Sequence, residues 1–375
     1  MTPPKTLTLA PLAALAVTLL LTACRAPGMK MDISVPNKRT TVLMQGQRVT
    51  LQPLDAEAVR SFGTPMPTTT GLKDLLATKV EPYQVGPQDI LLVTVWDHPE
   101  ITLPLGQYRT DAATGMVVDE EGLLYFPYIG RVKVGGLTVV QVREVLTSRL
   151  SRVLKLPQVD VKVVAFRSQK IYVGGDVRLP AVYTVTDVPF TLAEAINRSG
   201  GFLPGADQSR VVLSRGGQSW TLNFLELLAH GNHIDKIVLK DGDSVHVHNR
   251  SEAPVYVMGE VIRAMPVPAY NGKLTLAQAL SEAGGVNTAS ADPRSIYVFR
   301  RGAAENSVEV FHLDAYNPVG MVMADRFALQ PRDVVYVDAG TLVRWNRVVT
   351  LLLPTTSLLT NAPTVAADSR TAFKN

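Results

Sequence analysis

The sequence predicts an α+β protein made of several small domains in series, and three observations lead to this fold class. Short stretches alternate between apolar and polar residues, as strands do, and are separated by turns rich in Gly and Pro. Apolar residues at helical spacing recur in short segments, for example between residues 137 and 150. A long segment that begins at Ile171 is repeated from Val255, and a chain of 375 residues has room for two or three domains.

Composition excludes two classes of protein or site. The net charge is only +4 and no run of Lys and Arg resembles a nucleic-acid-binding stripe, so we expect no nucleic-acid partner. Cys24 is the one cysteine of the sequence, which rules out a disulfide within the chain and a cysteine-based zinc site.

Residues 1–23 have the form of a secretory signal peptide, with Lys5 before an apolar run that is too short for a spanning helix. The sequence "LTAC", which ends at Cys24, resembles the bacterial lipobox. The likeness implies a lipoprotein signal, with a diacylglyceryl group and an N-acyl chain on Cys24. The alternative is an ordinary signal peptide with a coincidental cysteine. Arg25 stands where an aspartate would favour the inner membrane, so we expect the outer membrane.

Two regions precede the repeat. Residues 24–82 have short apolar patches among Pro and Thr residues and are interpreted as a lipidated tether with short strands. From residue 83, "VGPQDILLVTVW" predicts a turn and a strand, "LTVVQVREVLTSRL" a helix capped by Thr138, and "PQVDVKVVAF" a further strand. Residues 83–168 are therefore predicted to form one small α+β domain.

Two similar domains follow, at residues 169–250 and 251–339. Each copy ends on a turn, an aspartate and a strand, "DGDSVHV" and "PRDVVYV", and the first domain carries the same signature in "GPQDILLVTV". Positions that match at one offset are Tyr172 with Tyr256, Gly175 with Gly259, Asp176 with Glu260, Thr191-Leu192-Ala193 with Thr275-Leu276-Ala277, and Gly200-Gly201 with Gly284-Gly285.

The matched residues predict a short capped helix in each repeat. Thr191 and Thr275 suit the N-cap, and the Leu and Ala residues after them suit a face packed on a sheet. The Gly-Gly pair suits the C-terminal end of the helix, where a positive φ is needed. A phosphate loop is disfavoured, because no strand leads into the glycines and no Lys-Ser/Thr follows them.

No catalytic constellation stands out. His246 and His248 share one face of a predicted strand and raise the question of a metal site, but no third ligand has a recognisable spacing, so a solvated strand face is favoured. The carboxylates at 119–121 lie beside a glycine and read as a polar loop. We therefore predict no catalytic residues, no metal and no enzyme.

The segments just described resemble a known family. "VGPQDILLVTVWDHPEITLPLGQYR", "FPYIGRVKV", "PQVDVKVVAFRSQKIYVGG" and "LQPRDVVYV" are similar to the outer-membrane polysaccharide export lipoproteins of Gram-negative bacteria, of the type of the Wza capsule translocon. The resemblance implies a polysaccharide-export domain at 83–168, two β-grasp-like SLBB domains at the repeats, and strands added to both by the segment before residue 80. It also implies a homo-oligomeric ring, octameric in close relatives, around a large periplasmic cavity.

Residues 340–361 are apolar on one side of a helix. About 20 helical residues span roughly the 30 Å of hydrocarbon. In a ring, the polar side lines water and the apolar side meets lipid, which with the family likeness predicts an amphipathic transmembrane helix in an oligomeric α-barrel. The predicted lipid-facing residues are Leu342, Trp345, Val349 and Leu352, and the predicted pore-facing residues are Asn346, Arg347 and Thr350.

Two other interpretations of this segment remain: a helix packed on the body of the protein, and a helix lying flat on a membrane. The family likeness favours the spanning barrel. Pro354 is expected to bend or shorten the last turn. Residues 362–375 are polar and predict a disordered tail.

The leading hypothesis is a passive conduit for a capsular or extracellular polysaccharide. No motif binds nucleotide, and no cofactor is expected beyond the lipid on Cys24. The resemblance implies an inner-membrane polysaccharide co-polymerase, often a tyrosine autokinase, as a partner. The loop "HPEITLPLGQYR" is a candidate periplasmic constriction, in which Tyr108 either contacts a sugar or simply packs in a turn. The alternatives are a tethered periplasmic glycan-binding lipoprotein without a pore and a glycan-processing enzyme.

Overall fold

The computed structural model describes residues 39–44, 46–62, 72–99, 101, 115–229, 233–344 and 346–347. They fall into two compact units. The central unit comprises Met66–Glu252 with Tyr270–Gly272, and the terminal unit comprises Met1–Pro65, Ala253–Ala269 and Lys273–Asn375. The predicted signal peptide, Cys24, Tyr108 and the predicted tail lie outside the described residues.

Short strands and helices alternate along both units, in agreement with the predicted α+β class. Two 3-10 turns, His233–Asp235 and Arg250–Glu252, complete them. The elements in chain order are β1 (Thr40–Met44), β2 (Gln47–Pro53), α1 (Ala56–Phe62), α2 (Leu72–Leu76), β3 (Ile90–Val95), β4 (Met116–Val117), β5 (Leu123–Phe126), β6 (Gly130–Lys133), α3 (Val139–Leu150), β7 (Val159–Ala165), β8 (Lys170–Gly175), β9 (Ala181–Thr184), α4 (Leu192–Arg198), β10 (Ala206–Arg215), β11 (Gln218–Leu222), α5 (Phe224–Ala229), β12 (Ser244–Asn249), β13 (Val255–Gly259), β14 (Met265–Val267), α6 (Leu276–Glu282), β15 (Ala291–Arg301), β16 (Ser307–Leu313), α7 (Val319–Arg326) and β17 (Val334–Ala339).

The first domain packs helix α3 against two small sheets. Strand β3 lies between β4 and β7, antiparallel to both, and β5 and β6 form a separate hairpin. Thr138 caps α3 as predicted, since its Oγ1 accepts the Gln141 N–H and the Gln141 side chain accepts the Thr138 N–H. The helix buries Val142, Leu146 and Leu150 in the domain core.

The first repeat forms a five-stranded sheet in the order β11-β10-β12-β8-β9, in which β12 and β8 are parallel. Helix α4 packs on this sheet and buries Leu192 and Ile196. Helix α2, far upstream in the chain, adds Leu75 to the same core. The upstream segment thus contributes a helix to this repeat, where the family resemblance implied a strand.

The second repeat forms the same arrangement within a seven-stranded sheet, ordered β1-β2-β16-β15-β17-β13-β14. Strands β1 and β2 extend it because β2 pairs in parallel with β16. Helices α6 and α7 pack on one face of this sheet. Phe311 and Phe327 are buried in the core that the helices form with the sheet. The strands expected from the upstream segment are therefore present at this repeat.

The Gly-Gly pairs end helices α4 and α6, as predicted. All four glycines have φ between 76° and 90°. The Gly201 N–H donates to Ile196 O at 2.9 Å, and the Gly285 N–H donates to Leu280 O at 2.8 Å. This is the hydrogen bond of a helix C-cap with a left-handed residue, which glycine adopts without strain.

A buried aspartate precedes or opens a strand in all three domains. The carboxylates of Asp89, Asp243 and Asp333 each accept the backbone N–H three residues upstream, at 2.9, 2.7 and 2.8 Å. Each aspartate is at most 2% exposed. Because a buried carboxylate needs compensating donors, the turn before each strand is fixed around it.

In the first domain the donors come from the backbone, from a tyrosine and from the Ser168 hydroxyl, which donates to Asp89 Oδ2 at 3.0 Å. Asp89 accepts the Arg167 and Ser168 N–H groups at 2.8 and 2.9 Å and the Tyr83 hydroxyl at 2.7 Å. Burial raises the pKa of the Tyr83 hydroxyl, which keeps it protonated and able to donate. The aspartate thus links the turn before β3 to the residues that follow β7.

In both repeats the donor is an arginine. Arg215 Nη2 lies 2.6 Å from Asp243 Oδ2, and the same nitrogen donates to the carbonyl of Val238. Arg300 Nη2 lies 2.8 Å from Asp333 Oδ2 and donates likewise to Ala328 O. Each repeat therefore has its own arginine–aspartate ion pair. In each repeat the arginine also donates to the carbonyl five residues before the aspartate.

Each arginine also contacts the upstream segment within its own unit. Arg215 Nη1 donates to Thr78 Oγ1, just beyond α2, at 3.3 Å. Arg300 Nη1 donates to Phe62 O, the last residue of α1, at 3.3 Å, and its guanidinium lies 5.2 Å from the rings of Phe311 and Phe327. The ion pair thus joins the sheet to a helix that is distant in sequence.

Helical backbone begins again after β17, at 341–344 and 346–347, and the Arg344 N–H donates to Gly340 O at 3.1 Å. Across the described parts of the chain, no helix has both the length and the apolar content to cross a membrane. Most of the predicted membrane helix, beyond residue 347, lies outside those parts.

Replacing Gly201 with alanine is expected to lower the free energy of unfolding by about 1–2 kcal/mol, because a Cβ disfavours the left-handed conformation. An added Cβ at Gly201 meets nothing within 4 Å, so the backbone alone carries the effect. Denaturant unfolding of the purified protein measures it. Gly201→Asn is the matched control, since asparagine tolerates this conformation, and equal losses for the two variants would contradict the assignment.

Replacing Arg300 with methionine is expected to destabilise the protein by about 3–5 kcal/mol, because Asp333 then remains buried without its partner. Arg301→Met, at the exposed neighbouring position, is the control and is expected to change stability by less than about 0.5 kcal/mol. Thermal and denaturant unfolding of the two variants decide the question. Similar stability for both would show that the ion pair does not hold the second repeat together.

Candidate functional site

The hairpin of β5 and β6 presents an exposed aromatic surface. Tyr125 and Tyr128 are 70% and 67% exposed. Tyr128 has a φ of 66° at the centre of a tight turn, where the Ile129 N–H donates to Pro127 O at 2.9 Å. A bulky side chain is disfavoured in this conformation, and such strain is common at functional positions. A tyrosine offers an apolar face with a polar tip, which matches the surface of a sugar ring.

A charged cluster borders this hairpin. Arg131 Nη2 lies 2.7 Å from Asp119 Oδ2 and 3.2 Å from Glu121 Oε2. The hydrogen bond from the Arg131 guanidinium holds the pKa of Asp119 below its usual value. Glu120 and Glu121 are exposed, in agreement with the polar loop predicted for 119–121. The arrangement provides hydrogen-bonding groups to a polar ligand next to the tyrosines.

A groove of about 360 Å³ lies within the central unit, between residues 79–84 and the first repeat. Three charged groups of its lining have partners: Lys240 Nζ lies 3.3 Å from Glu81 Oε1, and Asp241 Oδ1 accepts the Lys170 N–H at 2.7 Å. Its volume is near the lower end for ligand pockets, about 300–1,000 Å³. The groove suits a small polar group more than an apolar ligand.

His246 and His248 lie on the same solvent-facing side of β12, as predicted, with Val245 and Val247 turned into the core. Their rings are 4.9 Å apart. His248 Nδ1 lies 2.6 Å from Glu252 Oε2, so this histidine is held to the 3-10 turn that leaves the first repeat. In the described ranges, no three His, Cys, Asp or Glu side chains are grouped so as to hold a metal.

Three of the predicted membrane-helix residues are described. Leu342 is 83% exposed, and Asn346 lies in the helical segment. Arg347, predicted to face the pore, has its Nη2 2.6 Å from Glu260 Oε1 in the second repeat. Their lipid-facing and pore-facing roles stay predictions. The other predicted site residues lie outside the described ranges: Cys24, Tyr108, Trp345, Val349, Thr350 and Leu352.

The sequence interpretation missed the partners of the buried carboxylates. Arg215 directly precedes a glycine in "SRGG", and Arg300 lies two residues before a glycine in "FRRG". This shared pattern was the available sequence signal for an equivalent arginine in the two repeats. It also missed the pairing of Arg344 with Asp338 near the end of β17. No sequence pattern indicated that pair.

Family comparisons identify one export domain followed by two SLBB domains. Residues 77–164 match the family described as polysaccharide biosynthesis/export protein. Residues 169–247 and 253–337 each match the SLBB domain. The two matches to one domain correspond to the internal repeat and to its two sheets.

Curated relatives match over most of the chain. The chain is 43% identical over 361 residues to the EPS I polysaccharide export outer membrane protein EpsA of Ralstonia solanacearum, covering 92% of this chain and 95% of the relative. It is 27% identical to the capsule polysaccharide export protein BexD of Haemophilus influenzae, with 73% and 75% covered. It is 24% identical to the capsule polysaccharide export outer membrane protein CtrA of Neisseria meningitidis serogroup A, with 72% and 76% covered. The export domain, the paired SLBB domains and this near-full-length similarity place the chain in the Wza-like family of outer-membrane polysaccharide export proteins.

Proposed function

We propose that this protein is an outer-membrane conduit through which a capsular or extracellular polysaccharide passes from the periplasm to the cell surface. Copies of the chain form a ring, octameric by analogy with the family resemblance. The export domain and the two SLBB domains lie in the periplasm. The segment 340–361 of each copy contributes one helix to an α-barrel across the membrane.

The two-sided terminal segment carries this proposal. A single copy in lipid would expose its polar side at a cost of several kcal/mol. A ring removes this cost, because the polar sides share a water-filled centre while each backbone is satisfied within its own helix. The exposure of Leu342, at the start of the segment, is consistent with a lipid-facing side. The near-full-length similarity to a protein named for polysaccharide export in the outer membrane supports the cargo and the location.

Further components follow from the same proposal. Acyl chains on Cys24 anchor the N-terminus to the outer membrane, and two or more chains give stable attachment. An inner-membrane polysaccharide co-polymerase, often a tyrosine autokinase, supplies the cargo and the driving force. Tyr108 lies in the proposed periplasmic constriction.

A second candidate is a tethered glycan-binding lipoprotein without a pore. The exposed Tyr125 and Tyr128, beside the paired charges of Asp119, Glu121 and Arg131, favour contact with a polysaccharide whether or not a channel forms. In this case the terminal segment packs on the body of the protein, and the chain end stays in the periplasm.

An epitope tag placed after Asn375 is expected to bind antibody on intact cells, because the spanning helix carries the chain end to the surface. The same tag in the Gly216–Gly217 turn between β10 and β11 is the periplasmic control and is expected to be detected only after permeabilisation. Flow cytometry measures both. Detection of the terminal tag only after permeabilisation favours the glycan-binding alternative and overturns the conduit.

Replacing Cys24 with serine is expected to abolish incorporation of labelled palmitate and to reduce the share of the protein in outer-membrane fractions, because the acyl anchor is lost. Arg25→Lys keeps the cysteine and serves as the control. Membrane fractionation and metabolic labelling provide the measurements. Unchanged palmitate labelling in the serine variant would remove the lipid on Cys24 from the proposal.

A further inference from the structure

Two carboxylates lie side by side where the chain leaves the second repeat. Strands β13 and β17 are parallel, and Gly259 is in register with Val337. Glu260 directly follows β13, and Asp338 is the penultimate residue of β17, so both lie at the carboxyl ends of these two paired strands. The Glu260 N–H donates to Val337 O at 2.8 Å, which keeps the strand ends together at this point.

Two arginines from the terminal helix meet these carboxylates. Arg347 Nη2 lies 2.6 Å from Glu260 Oε1, and Arg344 contacts Asp338 through its Nη2. Residues three apart in a helix lie on the same side, so both guanidinium groups point to one edge of the sheet. The Gly340 N–H donates to Ser290 O at 2.8 Å and fixes the start of the helix. We name these four residues, Glu260, Asp338, Arg344 and Arg347, the terminal clamp.

The carboxylates of Glu260 and Asp338 are stable in this position only when positively charged groups pair with them. The side chain of Asp338 is 6% exposed and that of Glu260 is 17% exposed. A largely buried negative charge loses solvation, so each carboxylate is costly unless a cation pairs with it. The Ser290 side chain and the Arg347 guanidinium hold the pKa of Glu260 below its usual value, consistent with a carboxylate that stays charged.

The first repeat uses the equivalent acid in the same way. Asp176 occupies the position that matches Glu260, and its Oδ2 accepts the Asn249 Nδ2–H at 2.6 Å. Asn249 is the last residue of β12 and leads directly into the 3-10 turn Arg250–Glu252, by which the chain leaves that repeat. In both copies, the acid that follows the first strand of the repeat binds the segment by which the chain leaves that repeat.

We propose that the terminal clamp is a positioning device that fixes the direction in which the terminal helix leaves the second SLBB domain. Its consequence for export rests on the proposed conduit, in which each copy must present its helix to the membrane at one angle. Whether the four side chains hold the start of the terminal helix does not depend on that function. It is measured separately, by the mobility of a label on the helix.

Leu342, which is 83% exposed on the first turn of the helix, provides the reporter position. A nitroxide on Leu342→Cys in the full-length purified protein is expected to show the restricted motion of a site on an ordered helix, which is the immobile component of its spectrum. Glu260→Gln and Asp338→Asn are each expected to raise the ratio of mobile to immobile label about tenfold, because the amide lacks the negative charge that strengthens the hydrogen bond from the arginine. Glu282→Gln, which removes an exposed carboxylate from the same repeat, is the control and is expected to change nothing. Protein without the added cysteine gives the background from Cys24.

A charge exchange separates the pairing from a general loss of folding. Glu260→Arg alone and Arg347→Glu alone are expected to mobilise the label, and the two together are expected to restore most of the immobile signal. Label mobility that is unchanged in the Glu260→Gln and Asp338→Asn variants overturns the clamp, whatever the protein transports. Failure of the exchange to restore the signal also counts against it.

Surface polysaccharide in cells that carry the same variants tests the positioning role. Export is expected to fall several-fold in Glu260→Gln, to remain normal in Glu282→Gln and to recover in the charge exchange. Mobilised label with normal export overturns the positioning role while leaving the proposed conduit intact. Surface detection of the terminal tag reports separately on the conduit, so failure of one proposal is distinguishable from failure of the other.

Discussion

The buried aspartate at the turn before a strand is the constraint on which each domain of this protein depends. A carboxylate with almost no exposure is tolerated only where several donors converge on it. Asp89, Asp243 and Asp333 meet this requirement with the backbone N–H three residues upstream and with donors from elsewhere in the domain. In the repeats the distant donor is an arginine that also binds a backbone carbonyl and the upstream segment. One charged group therefore fixes a turn, a sheet and a helix together, and the loss of its partner affects all three.

Local patterns in the sequence predicted much of this fold. The Thr caps, the Gly-Gly helix ends and the alternating faces of β12 depend on residues close together in the chain, where spacing alone carries the information. The internal repeat predicted two similar domains, since matching residues at one offset need no knowledge of the structure. The family resemblance placed these domains and the export domain in order, and the comparisons support that order.

Long-range pairing was not predictable in the same way. Arg215 and Arg300 stand beside glycine turns, but their partners lie about thirty residues further along the chain and the sequence gives no direction for a side chain. The upstream segment showed short apolar patches, yet its division between two units depends on tertiary contacts that override local propensity. The same limit applies to the candidate site. Tyr125 and Tyr128 were not among the predicted site residues, and only the structure shows that both are exposed to solvent.

The route of the upstream segment has a consequence for synthesis of the chain. Strands β1 and β2 are made early, but β16, with which β2 pairs, is made only near the end. Helix α2 likewise packs on the first repeat, which is synthesised after it. Since a pairing between distant segments can form only after both have been made, these apolar stretches are without their partners during much of synthesis. We therefore expect folding to run from the middle of the polypeptide outward, with the N-terminal strands reaching their final pairing last.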